Sequence, residues 1–127
     1  MIIRIDFNSD EAYYIQLCNQ IIYGIANDKI RDGDNLPSVR QMADNIGINM
    51  HTVNKAYTIL KQEGYLKVDR RRGTIISVSP DKHEALDELF DDMRMLLAKA
   101  ACKGVSLDEV HKLVEKIFGD FKKLEEW

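Results

Sequence analysis

Residues 33–78 constrain this chain more than any other stretch: two short helix patterns around a glycine turn, then strand, basic turn, strand. Ser38 stands where it can cap a helix whose apolar residues Val39, Met42, Ala43 and Ile46 share one face. Gly47 stops that helix, because glycine takes the left-handed conformation at low cost. Asn49 is the next cap, and Val53, Ala56, Tyr57 and Leu60 form the buried stripe of a second helix ended by Gly64. Two short helices joined by so tight a turn make a helix-turn-helix. Tyr65-Leu66-Lys67-Val68 and Thr74-Ile75-Ile76-Ser77-Val78 read as strands flanking the turn Arg70-Arg71-Arg72-Gly73. That hairpin makes the module winged.

Upstream, Tyr14, Leu17, Cys18, Ile21, Ile22 and Ile25 recur at helical spacing, which predicts a platform helix over residues 11–30. The opening Met1-Ile2-Ile3-Arg4-Ile5 reads as a short strand or an ordered arm. Pro80 and Asp81 mark a boundary, dividing the chain into a winged helix-turn-helix at 1–80 and a tail at 81–127. In the tail, Leu86, Leu89, Phe90, Met93, Leu96, Leu97 and Ala100 form one apolar stripe. Gly104 breaks it, and Ser106 and Glu109 have the spacing of a capping box. Leu107, Val110, Leu113, Val114, Ile117, Phe118, Phe121 and Leu124 form the second stripe. The short break predicts an antiparallel helical hairpin.

A lone hairpin cannot bury two stripes that wide. A two-fold-related copy of the chain is the expected cover, with Leu86, Phe90, Met93, Leu97, Val110, Leu113, Val114, Ile117 and Phe121 at a dimer interface. Packing against the first helix of the same chain is the alternative. The expected fold is mainly α with a small β wing: a winged helix-turn-helix followed by a helical hairpin.

A chain of 127 residues has room for one modest domain, or a small one with an appendage. Its net charge of −3 argues against general coating of nucleic acid. Within residues 36–78, however, 7 basic residues (Arg40, Lys55, Lys61, Lys67, Arg70, Arg71, Arg72) outnumber 3 acidic ones (Asp44, Glu63, Asp69). A local basic face on an acidic molecule suits site-specific DNA binding, because weak non-specific attraction leaves base contacts to decide. Cys18 and Cys102 lie far apart without metal or redox spacing, and both read as small buried residues. No apolar run approaches the roughly 20 residues that span a bilayer, and no signal peptide opens the chain, so a cytoplasmic location is expected. Neither a nucleophile–base pair nor a phosphate-cradling glycine loop occurs, and no enzyme activity, metal or cofactor is expected. His51, His83 and His111 are dispersed, and Asp87, Glu88, Asp91 and Asp92 read as the solvated start of a helix.

The chain resembles the GntR-type bacterial transcription regulators. The matching pieces are Gly33-Asp34-x-Leu36-Pro37-Ser38-x-Arg40-x-Met42-Ala43, Thr52-Val53-x-x-Ala56-Tyr57, Leu60-x-x-x-Gly64-Tyr65-Leu66 and the wing Arg72-Gly73-Thr74. Tyr14-Ile15-Gln16-Leu17 and Gln20-Ile21 resemble the family's first helix. The short two-helix tail is similar to that of the YtrA subfamily and leaves no room for the larger effector domains of other members. The resemblance implies a compact repressor in a subfamily associated with transporter operons. Any effector stays open.

The resemblance carries a DNA-contact role onto Arg40, and a salt bridge to Asp44 at i+4 is the other reading. The recognition helix is expected to present Asn49, Met50, His51, Thr52, Asn54 and Lys55 to double-stranded DNA. It departs from relatives, which commonly carry arginine near Met50 or Asn54. Asn54 and Asn49 have the donor–acceptor pair that reads adenine, and Met50 or Thr52 fits a thymine methyl. Met50 reads equally well as a turn residue covering the core. Thr52 and Lys55 suit phosphates. Arg70, Arg71 and Arg72 at the wing tip repel one another unless an anion is near, and a narrow minor groove supplies one. Family wings usually place a glycine where Arg71 stands. A homodimeric, sequence-specific repressor is the expected function, and a winged helix used for protein assembly is the alternative.

Overall fold

In the computed structural model, residues 3–123 are described, and they divide into two units, 3–79 and 80–123. Met1, Ile2 and Leu124, named above, lie outside the described residues. The first unit contains α1 (Tyr13–Ala26), α2 (Val39–Ile46), α3 (Met50–Gln62) and an antiparallel pair, β1 (Leu66–Asp69) and β2 (Gly73–Ile76). Fully buried Leu17 and Ile21 of α1 meet Met42 of α2, Val53 and Leu60 of α3 and Ile76 of β2 in one core. The stripes read from the sequence are the faces that pack.

α1 is shorter than its pattern. It ends at Ala26, and Asp28 turns the chain at φ 62, so that the N–H groups of Lys29 and Ile30 both donate to the Gly24 carbonyl at 2.9 Å. Ile30 still reaches the core, from a loop rather than a helix. Ahead of α1 the chain is an ordered arm, not a strand. Gln20 holds Arg4 through both its backbone groups, and the buried Gln16 accepts from the Asp6 N–H and donates to the Asp6 and Glu11 carbonyls. Two glutamine amides thus substitute for a partner strand.

α2 is capped by a reciprocal box: the Ser38 hydroxyl accepts from the Gln41 N–H, and the Gln41 side chain accepts from the Ser38 N–H. Gly47, at φ 74, turns the chain out of the helix. The hairpin pairs Leu66 with Ile76 and Asp69 with Gly73. A third segment joins it, because Asn35 bridges Ile75 and the Leu36 N–H donates to the Thr74 carbonyl at 2.9 Å. The loop before α2 is therefore the outer edge of the wing.

The second unit holds α4 (Lys82–Cys102) and α5 (Leu107–Lys123). Asp81 caps α4, Gly104 at φ 88 ends it, and Ser106 and Glu109 form the expected reciprocal box at the start of α5. The Glu109 carboxyl is held below its ordinary range, first by the Ser106 N–H. The two helices touch each other little, and no residue of α4 is buried. Leu86, Phe90, Leu97, Leu113, Val114 and Ile117 are exposed, while Met93, Val110 and Phe121 are half-buried and Phe121 stacks edge-on to Phe118 at 5.7 Å. Cys102, expected in a core, is exposed, on a helix that has no buried residue.

Candidate nucleic-acid interface

The start of α2, the first turns of α3 and the wing tip carry every residue assigned to DNA by its sequence. The Tyr57 hydroxyl, on α3, donates to the Pro37 carbonyl at 2.8 Å and fixes the loop from which α2 departs. Burial pushes the Tyr57 phenol well above its ordinary range, which keeps it a donor. Arg40 follows from that anchored loop as the second residue of α2. It is exposed, and among the described residues its guanidinium has no ion pair with Asp44 and no other partner.

Asn49 sits at the N-cap of α3, where its Oδ1 accepts from the His51 N–H at 2.7 Å. The exposed Asn49, an adenine-reading candidate in the sequence, thus uses one of the two lone pairs of that oxygen for the cap. Met50 is 41% exposed and does not cover the core. His51 and Asn54 are exposed, and Thr52 is half-buried. Lys55 extends back over the Tyr14 ring, its Nζ 4.0 Å from the centroid, which holds the ammonium beside α1.

The wing tip is built by Asp69, whose Oδ1 accepts from the N–H groups of Arg71 and Arg72 at 2.7 and 3.1 Å. Those two N–H groups, the Arg71 one foremost, draw the Asp69 carboxyl below its ordinary range. Gly73, at φ 79, supplies the left-handed residue that closes the three-residue loop. The hairpin therefore needs no glycine at Arg71. Arg70 and Arg71 project free of side-chain bonds, but Arg72 does not: its Nη2 donates to the Gly33 carbonyl at 2.6 Å and to Asn35 Oδ1 at 3.2 Å.

Between α3 and the wing runs a small cleft lined by Asn54, Thr58, Lys61, Val68 and Thr74. Lys61 and Val68 were not singled out from the sequence. Val68 is 63% exposed on β1, and the strand alternation that buries Leu66 was its available signal. Phe7 of the arm stands beside the helix-turn-helix turn. Its Cζ lies 3.8 Å from where a Gly47 Cβ would be, and its ring meets Tyr13 edge-on at 5.3 Å.

A capped α2, a polar and exposed start to α3 and a cationic hairpin tip define a winged helix-turn-helix of the DNA-binding regulator class. The chain belongs to the gntR family of bacterial regulatory proteins, which it matches over residues 14–76. It is 32% identical over 123 residues to the HTH-type transcriptional repressor YtrA of Bacillus subtilis, covering 94% of this chain and 95% of that protein. Among solved structures it is similar to a transcriptional antiterminator from Listeria monocytogenes (TM-score 0.80, 26% identity, 93% and 90% of the two chains). It is also similar to YtrA from Sulfolobus acidocaldarius, a GntR-family transcription factor (TM-score 0.59, 33% identity, 91% and 96%). The protein is a DNA-binding transcription regulator and not an enzyme.

Proposed function

We propose that the protein is a homodimeric repressor of the cytoplasm that binds an inverted-repeat operator, with 1–80 as the DNA-binding domain and 81–127 as the dimerisation tail. The uncovered apolar stripes of α4 and α5 carry the dimer reading, since exposed apolar area of that extent is stabilised by a second copy. Repression and a transporter operon as target rest on the similarity to the Bacillus subtilis repressor and on the subfamily likeness of the short tail. No helix among the described residues is long and apolar enough to cross a membrane.

In this reading each α3 enters a major groove. Asn54 reads adenine, Met50 or Thr52 meets a thymine methyl, and His51 lies alongside. Arg40 contacts a guanine edge or a phosphate, Lys55 a phosphate, and the wing reaches the minor groove. Selection from random duplex DNA tests it. The expected product is a symmetric inverted repeat with half-site centres about 10 base pairs apart, or a multiple of that. Enrichment of direct repeats, or of no sequence, refutes it.

A further inference from the structure

We infer that Arg72 and Asn35 form a lock that positions the wing, so that Arg70 and Arg71 carry the wing's charge to DNA while Arg72 does not touch it. This rests on the reading of the wing as a DNA-contacting element. The lock is reciprocal. The Arg72 guanidinium donates to the Gly33 carbonyl and to Asn35 Oδ1, and the Asn35 amide donates back to the Arg72 carbonyl. An arginine folded back on two acceptors cannot extend into a groove without releasing both.

The loop that receives it is tied to β2 a second time through the backbone: Gly33 N–H donates to the Ile76 carbonyl at 2.7 Å, and Ile76 N–H to the Asp34 carbonyl at 2.8 Å. That same loop runs through Leu36 and Pro37 into Ser38 and α2, where Arg40 stands. One strut therefore joins the wing tip to the element that presents Arg40, and holds two DNA-facing groups at a set separation. Arg70 and Arg71 stand outside the strut, turned at the tip by Asp69, with no partner for either side chain among the described residues.

The test uses the full chain and a fluorescein-labelled duplex of mixed sequence, with affinity followed against salt. A charge that meets phosphate lowers the slope of log affinity on log salt by about 0.9 when removed. Arg70→Ala and Arg71→Ala should each lower the slope. Arg72→Ala should leave it at the wild-type value while weakening binding roughly fivefold, the effect of a net hydrogen bond of about 1 kcal/mol. Asn35→Ala, which removes no charge, should weaken binding similarly, and the double variant little further. In the free protein, amide exchange at Leu36 and Ile76 should quicken in both single variants.

A slope that falls with Arg72→Ala, or losses that add in the double variant, would overturn the lock while leaving the wing reading intact. An unchanged slope in Arg70→Ala and Arg71→Ala would refute the wing reading and with it any positioning role, whatever the exchange shows. Unaltered exchange in both lock variants also overturns it.

Discussion

Replacing Leu113 and Ile117 together with glutamate is expected to turn the proposed dimer into monomers without unfolding the winged unit. The two residues lie one turn apart on α5, 56% and 44% exposed in the protomer. Full burial of such a side chain contributes roughly 1.5–3 kcal/mol, so covering the exposed half contributes about 1 kcal/mol each. A two-fold interface repeats both contacts, and the pair of substitutions removes roughly 4 kcal/mol before any carboxylate is desolvated. At about 1.4 kcal/mol per decade, the dimer dissociation constant rises about a thousandfold. The core of the winged unit contains neither residue, so its thermal unfolding should be unchanged. Sedimentation velocity across the micromolar range reads the outcome. A double variant that still sediments as a dimer refutes the argument and moves the interface off α5.

Arg40→Ala should weaken operator binding by about 1–3 kcal/mol in a titration, with urea stability unchanged because the guanidinium has no partner among the described residues. Tyr57→Phe should cost about 1–2 kcal/mol in urea unfolding, as the Pro37 carbonyl loses its donor beneath a packed loop. Burial pushes the Cys18 thiol from 9.0 up to about 11, with Glu63 adding to the shift, so the folded state favours the neutral thiol. That contribution is complete below pH 9 and is lost as pH rises from 9 toward 11, so Cys18→Ala should show a shallower alkaline loss of thermal stability than the wild type. Equal slopes would refute it.

Most of the winged unit was legible because its signals act within a few residues. Ser38, Gly47, Asn49 and Gly64 each speak to the backbone beside them, and the structure shows a cap or a turn at each. The Ser106–Glu109 box was readable for the same reason. The partners that escaped are distant in the chain. Asn35 meets Arg72 across 37 positions, and a one-residue bridge to Ile75 has no periodicity to announce it. The end of α1 escaped differently: Ile30 continues the apolar pattern, but a left-handed Asp28 brings it to the core along another path. Cys102 misled because an apolar neighbourhood in the sequence is buried only when something packs on it.

The free charges of the interface bear on how an acidic chain attains specificity. Of the cations assigned to DNA, Lys55 is held over Tyr14 and Arg72 against the loop, which leaves Arg40, Arg70 and Arg71 without partners among the described residues. With net charge −3, non-specific attraction to the duplex is weak, and each protomer has few phosphate contacts with which to hold on. The oxygen of Asn49 already serves the cap, so in the proposed reading Asn54, further along α3, is the less engaged adenine reader. A single protomer with one asparagine reader and three free arginines makes a small set of contacts. Coupling two such protomers through the tail, as proposed, would make the second binding step intramolecular, which multiplies affinity only where both half-sites are present in register. In the proposed dimer the tail would therefore govern specificity as directly as the recognition helix, without itself reading a base.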